Sequence, residues 1–353
     1  MKRILITGGA GFVGSNLALA MKNTWRDAEI AALDNLHRTG SEMNIPRLEA
    51  QGIKFIKGDV RSTDDLENAG NADILIECSA EPSVLAGSDG DTSYLLQTNL
   101  QGALNCAEYC RKRGAAMIFL STSRIYPLKP LVECDIRETE TRFELTDNQK
   151  TPGLSSKGVA ETLPLDGPRS LYGGTKLAAE IILREYNDAF GIPIVVNRCG
   201  VIAGPWQFGK ADQGIAAFWT AAHHFRKPLK YIGFGGKGKQ VRDMLHIDDL
   251  ARLVIRQTEN PADFADTPFN VGGGPDSSAS LLELTGICAE TTGNNIEITP
   301  EPKTRYADIP VYISDNTAIT ARCGWKPRKN IRDIVSDIHR WITETPETKR
   351  LFE

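Results

Sequence analysis

The sequence predicts an α/β protein with a doubly wound parallel sheet and a small, discontinuous C-terminal α/β domain. Two features carry this expectation. Short apolar runs alternate with helical patterns over the first 120 residues, and strand–helix–strand alternation demands a parallel sheet covered on both faces. The first run also ends directly on a glycine-rich turn that opens a helix.

The elements follow in order. Residues 2–7 form a β-branched and leucine run that stops at Gly8-Gly9, and a helix is expected over about 11–22. Strands are expected at 29–34, 53–57, 74–78 and 116–121, with helices at 63–69 and 97–113 between them. Continuous apolar runs suit strands buried on both sides. From 127 to 168 the chain is rich in Pro, Thr, Glu, Asp, Gly and Ser and has no sustained period. Such a length reads as a functional loop or an insertion. Helix returns at 171–190, followed by a strand at 192–198, then loops and helices with a short strand near 269–271. A last helix over 331–345 carries Ile334, Ile338, Trp341 and Ile342 on one face.

Composition narrows the function classes. The 353 residues are 41 % hydrophobic and 24 % charged, which allows a large core and excludes a disordered tail. A net charge of -4, with Lys and Arg spread along the chain, offers no basic face for nucleic acid. No run approaches the roughly 18 apolar residues of a membrane span, and the first residues lack the pattern of a signal peptide. The seven cysteines include no C-x-x-C and read as reduced thiols, so a cytoplasmic location is expected.

Gly8-Gly9-Ala10-Gly11-Phe12-Val13-Gly14 is a G-x-x-G-x-x-G turn between strand and helix. Gly8 would permit the tight turn, Gly11 would admit a pyrophosphate, and Gly14 would let the helix pack closely on the sheet. The helix N-terminus would supply N–H groups to the phosphates. Asp34 stands 20 residues after Gly14 at a strand end, where a carboxylate suits ribose hydroxyls and repels a 2′-phosphate. Asp59-Val60 follows the third strand, where an acid can meet an adenine amine. Together these predict a Rossmann-type site for NAD, lined by Gly8, Gly11, Phe12, Val13, Gly14, Asp34, Asn35, Asp59 and Val60.

Tyr172 and Lys176 lie four apart at the start of the 171–190 helix, so they share one face. An ammonium about 4 Å from a phenol contributes roughly 4 kcal/mol at an effective dielectric of about 20. That is enough to lower a tyrosine pKa by up to about three units before desolvation subtracts. Tyr172 is therefore the candidate base for a sugar hydroxyl, and a hydroxyl from Ser121-Thr122-Ser123 is expected to orient the substrate.

These residues resemble the extended short-chain dehydrogenase/reductase superfamily of nucleotide-sugar epimerases and dehydratases. The resemblance places the catalytic hydroxyl on Thr122, four residues before Tyr126, with Pro127 in place of the usual glycine. It also places Asn99 and Arg198 near cofactor or substrate. Dehydratases carry an Asp-Glu pair after the threonine, whereas Ser123 and Arg124 stand here, so dehydration is set aside. His37, His223, His224, His246 and His339 have no metal-ligand spacing, so no metal is expected. His246 reads as a hydrogen-bonded framework residue.

Three further segments resemble the CDP-paratose (CDP-tyvelose) 2-epimerase subgroup: Glu138–Arg142, Gln207-Phe208 with Asp212-Gln213-Gly214, and Gly238–His246. That resemblance implies a homodimer or higher oligomer that epimerises C2 of a CDP-hexose through a 2-keto intermediate. It implies that Ser123, Arg124, Glu140, Arg142, Arg198, Gln207, Gln213, Arg242 and Arg305 serve the substrate, Arg242 and Arg305 at the diphosphate. Alternatives are a 4-epimerase for a UDP- or GDP-hexose and a dinucleotide-binding sensor without turnover. Pro310 replaces the subgroup's second C-terminal arginine. The expected division gives 1–200, with roughly 243–273, to NAD, and 201–242 with 274–353 to the nucleotide sugar.

Overall fold

A computed structural model describes residues 2–87, 90–209 and 213–352. The chain divides into two compact units. The first comprises Met1–Ile125, Leu171–Arg198 and Leu250–Phe269; the second comprises Tyr126–Ser170, Cys199–Asp249 and Asn270–Glu353. Residues 126–170, expected with the cofactor domain, therefore group with the second unit.

The first unit is built on a sheet whose strands are β1 (Arg3–Thr7), β2 (Glu29–Asp34), β3 (Lys54–Lys57), β4 (Ile74–Glu77), β5 (Ala116–Thr122), β6 (Ile194–Cys199) and β7 (Phe269–Val271). Their order is β7-β6-β5-β4-β1-β2-β3. The pairs β1–β2, β2–β3, β1–β4 and β4–β5 are parallel, with Leu5 beside both Ala31 and Leu75, and Leu75 beside Met117. All four residues of β4 and all seven of β5 are buried, which is why they read as unbroken apolar runs rather than alternating ones. Leu5, Leu33, Leu75, Met117 and Phe119 pack with Cys106, Ala107, Cys110, Ala179 and Leu183 from two helices. Strand order reverses between β1 and β4, and ligands of such sheets bind outside the strand C-termini at that point.

Two helices depart from simple amphipathic expectation. The segment expected as one helix over 97–113 is a π-turn, Gln97–Gln101, running into Gly102–Arg113, which ends on left-handed Gly114. Helix Leu171–Phe190 has the expected bounds, but its buried stripe of Gly173, Thr175, Lys176, Ala179, Glu180 and Leu183 includes two charged residues.

The second unit centres on Val241–His246. This strand pairs in parallel with Val201–Ala203 and Val311–Tyr312, and antiparallel with Ser278–Ser280. Helices Ile215–His224, Leu281–Thr292 and Ile331–Glu344 pack on one another. The last buries Ile334, Ile338, Trp341 and Ile342 and begins on an Asn330 capping box. The aperiodic 127–168 stretch resolves into a short helix, Leu128–Val132, and two hairpins, Ile136–Glu138 with Phe143–Leu145 and Leu154–Ser155 with Gly158–Val159. Strands of two or three residues are too short to show a period.

Candidate active site

The dinucleotide turn is shaped by close backbone approaches. Gly8 has φ of 61°, and a Cβ there would sit 2.7 Å from the Cys78 carbonyl oxygen. A Cβ on Gly14 would lie 2.3 Å from the Gly8 oxygen, so this glycine lets the helix close on the turn. The approach to the sheet belongs to Gly9, whose Cβ would meet the Ala32 Cα at 2.7 Å. A Cβ on Gly11 would meet only the Gly8 oxygen, at 3.1 Å, and Gly11 caps helix Phe12–Thr24 without any side-chain bond to its first turn. The leading N–H groups, with Phe12 and Val13 among them, thus face an approachable backbone suited to a pyrophosphate.

Asp34 closes β2 and folds back on the turn. Its Oδ2 accepts from Ala10 N at 3.0 Å and its Oδ1 from Leu36 N at 2.8 Å, with Leu36 in the left-handed region. Burial raises the Asp34 carboxyl, and these backbone donors oppose the rise. The donor set, an acid at the strand end beside uncapped helix N–H groups, fits an adenosine ribose and diphosphate. Asp59 is more heavily committed than the sequence suggests. Arg61 reaches it at 2.7 Å and the Asn35 amide at 2.9 Å. Burial opposes its charge, but these bonds outweigh burial and hold the carboxyl down at about 2. Val60 is buried, and a Cβ on Gly102 would meet its Cγ2 at 2.6 Å. Asn99, fully buried in the π-turn, grips Glu81 with both amide atoms, at 2.8 and 3.0 Å.

The expected catalytic residues lie on β5 and on the helix packed against it. Thr122 ends β5, buried, with its hydroxyl accepting from Arg124 N at 3.2 Å. Ser123 and Arg124 lie in the following 3₁₀ turn, Ser123 buried and Arg124 half-buried. Tyr172 is half-buried, and its hydroxyl has no hydrogen-bond partner among the described residues. Lys176 is only 2 % exposed. Its Nζ donates to the Leu120 carbonyl at 3.1 Å and to Glu77 Oε2 at 3.3 Å, and lies 4.4 Å from the Phe119 ring centre. Sequence reasoning missed Glu77. The available signal was an acid inside the 74–78 run, which was read as buried on both faces.

The arginines separate by their partners. Arg198, on β6, is buried and bonds Glu180 through Nε at 3.0 Å and Nη2 at 2.9 Å, while Glu180 also accepts from the Ser121 hydroxyl. In the second unit, Arg142 grips Glu283 at 2.5 Å through Nη2 and at 2.9 Å through Nε, and reaches the Ser278 carbonyl at 2.9 Å. Both arginines, which the resemblance assigns to the substrate, thus have internal carboxylate partners. Glu140 is exposed beside this hairpin. Arg242 meets Asp308 at 2.7 Å through one nitrogen; burial lowers its pKa, and Asp308 and Asp243 oppose that. Arg305 is exposed. Gln207 donates to the Ile202 carbonyl at 2.8 Å, and its buried Oε1 has no hydrogen-bond partner among the described residues. Gln213 is half-buried, and Asp212 lies outside the described residues. Pro310 offers its carbonyl to Val241 N at 2.8 Å. His246 joins Asp248 N at 3.0 Å and approaches Asp337 at 3.3 Å. Among the described residues no group of three or more His, Cys, Asp or Glu could hold a metal, and no helix is long and apolar enough to cross a membrane.

Known proteins resemble this arrangement over nearly the whole chain. A model described as "NAD dependent epimerase/dehydratase family" matches residues 4–272. CDP-paratose 2-epimerase of Salmonella typhi is 31 % identical across 97 % of this chain and 99 % of its own. UDP-glucose 4-epimerase of Neisseria meningitidis is 25 % identical across 98 % of both. The Thermus thermophilus UDP-glucose 4-epimerase, solved with NAD, superimposes with a TM-score of 0.77 at 25 % identity, over 97 % of this chain and 99 % of that one. With its turn, its Tyr172–Lys176 helix and this match, the chain belongs to the NAD-dependent epimerase/dehydratase family and takes NAD as cofactor.

Proposed function

We propose that the protein inverts C2 of a CDP-hexose of the paratose/tyvelose type by oxidation to a 2-keto sugar and return of the same hydride. The observation that supports this reading is that Lys176, on the helix that carries Tyr172, bonds the Leu120 carbonyl of β5, the strand that ends on Thr122. The 31 % identity to a CDP-paratose 2-epimerase supports the choice of sugar.

Bound NAD supplies a hydride acceptor that gives the hydride back. Gly8, Gly11, Phe12, Val13 and Gly14 would hold its pyrophosphate, Asp34 with Asn35 its ribose, and Asp59, Val60 and Asn99 the adjoining wall. Tyr172, as phenolate, takes the proton of the C2 hydroxyl as the C2–H bond transfers its electron pair. Thr122 orients that hydroxyl, and Lys176 stabilises the phenolate by its charge. The planar keto sugar then presents its other face, and Tyr172 returns the proton to oxygen as hydride re-adds. Atoms and electrons balance, so no external reductant is needed. Arg242 and Arg305 are the proposed diphosphate contacts, with Ser123, Arg124, Gln207 and Gln213 toward the sugar. A homodimer is proposed through the helix faces bearing Leu96, Leu171, Ile181 and Phe190, which are 42–57 % exposed.

The test is incubation with CDP-paratose or CDP-tyvelose in deuterated water, with NMR resolution of the epimers. C2 inversion without solvent deuterium supports the reading. Inversion at C4 of a UDP- or GDP-hexose alone would replace it with the 4-epimerase, which the Neisseria relative favours. Bound NAD without any turnover would leave a sensor.

A further inference from the structure

The Lys176 ammonium has a counter-charge that the proposed chemistry does not require. Glu77 ends β4 and is 1 % exposed, in register with Thr7 of β1 and Phe119 of β5. Its Oε2 lies 3.3 Å from Lys176 Nζ, and its Oε1 is buried with no hydrogen-bond partner among the described residues. Burial raises the Glu77 carboxyl, and Lys176 and the Ser79 backbone oppose the rise; a buried ion pair of this kind adds little to stability, because desolvation offsets most of the attraction. Structure alone therefore gives a weak reason for an acid here.

We infer that Glu77 is a positioning residue for the proposed proton transfer: it fixes Lys176 against the sheet and offsets part of the ammonium's charge at Tyr172. The inference rests on Tyr172 being the base. Lys176 is held from two adjacent strands, by Glu77 on β4 and by the Leu120 carbonyl on β5, so its Nζ has one defined place. Of the other groups facing the pair, Thr7 stands on β1, Cys106 stands on helix Gly102–Arg113 with a thiol that burial pushes well up, and the Ser79 backbone favours the Glu77 charge. Glu180, one helical turn beyond Lys176, is occupied by Arg198 and Ser121. An ammonium favours a nearby phenolate, and a carboxylate beside the ammonium offsets part of that effect.

Glu77→Gln keeps shape and removes the charge. The acid limb of the kcat/KM profile should move about one pH unit lower, the size expected of one unit charge just beyond the ammonium at an effective dielectric of about 20. The phenolate absorbance at 295 nm, taken as the difference from Tyr172→Phe, should show the same shift with no substrate present. Glu77→Asp keeps a buried counter-charge, and so the fold, but withdraws it by one methylene; it should shift both readouts by a smaller step, roughly 0.3 to 0.5 unit. Unmoved limbs and midpoints in the folded variants overturn the inference. If Tyr172→Phe is inactive but Glu77→Gln leaves the limb in place, only the role of Glu77 fails. If Tyr172→Phe stays active, the reading beneath it fails as well.

Discussion

Arg142→Ala separates a framework arginine from a substrate arginine. The resemblance that assigns Arg142 to substrate meets a structure in which its guanidinium makes three bonds to Glu283, at 2.9, 3.0 and 2.5 Å, and one to the Ser278 carbonyl at 2.9 Å. Glu283 would keep the Thr141 hydroxyl at 2.7 Å and Ser280 N at 2.9 Å after truncation, so its carboxylate stays partly satisfied. Charge-assisted bonds of this kind are worth about 1.5–3 kcal/mol. Both side chains are about a quarter exposed (22 % and 24 %), which screens the pair and argues for about 2 kcal/mol. At about 2–4 °C per kcal/mol for a unit of this size, the Tm should fall by roughly 4–8 °C. Glu283 adds a pH signature. Burial works against its charge, yet Arg142, Ser280 and Thr141 hold its carboxyl below the ordinary value. A carboxyl depressed by folding stabilises above its unfolded pKa and loses that contribution as pH falls through the folded one. The Tm gap between parent and variant should therefore narrow as pH drops below about 4.3. Thermal melts from pH 3 to 8, beside KM for the CDP-sugar, make the test. An unchanged Tm with a tenfold rise in KM would refute the framework assignment.

The remaining tests address the turn, the base and the sheet. Gly14→Ala places a Cβ 2.3 Å from the Gly8 oxygen, backbone against backbone, and should cost about 1–3 kcal/mol or more in melts. Gly11→Ala meets only one atom, at 3.1 Å, so it should fold normally yet retain less than a tenth of the NAD after gel filtration. Tyr172→Phe should keep its NAD and lose roughly 10²–10⁴ in turnover, with parent-like turnover counting against Tyr172 as the base. Arg198→Ala strands the buried Glu180 carboxylate and should cost about 3–5 kcal/mol in urea unfolding, whereas Arg198→Met with Glu180→Leu should recover most of it.

What the sequence disclosed follows from range. β1, β2, β4 and β5 were legible because burial leaves a local mark, a largely apolar run, whereas β3 shows only Phe55 and Ile56 between two exposed lysines. The 171–190 helix and its Tyr–Lys spacing were legible for the same reason, since i and i+4 meet wherever a helix forms. Val241–His246, the central strand of the second unit, was not, because Arg242, Asp243 and His246 interrupt any apolar run. Asp243 is fully buried all the same, accepting Gly274 N and Ser314 N, both at 3.0 Å, from segments 31 and 71 residues away. Glu77 escaped notice similarly: its partner lies 99 residues on, and nothing within its own strand announces an ion pair.

The arginines carry this furthest. Arg142, Arg198 and Arg242 all sit in segments or positions that resemble substrate-handling ones, and their carboxylate partners lie 141, 18 and 66 residues away. Local sequence therefore cannot separate them, but bonding geometry can. Arg142 and Arg198 each give two guanidinium nitrogens to one carboxylate, consuming the fork that would match a phosphate. Arg242 gives Asp308 a single nitrogen and points a second at the Val241 carbonyl, so donors remain on the guanidinium. Its burial lowers the pKa, which means that the charged form gains when another anion approaches. Arg142, Arg198 and Arg242 are each answered by an internal carboxylate. The arginine whose carboxylate answers it incompletely is the one with donors left for a nucleotide, and on that criterion Arg242, rather than Arg142 or Arg198, is the proposed contact.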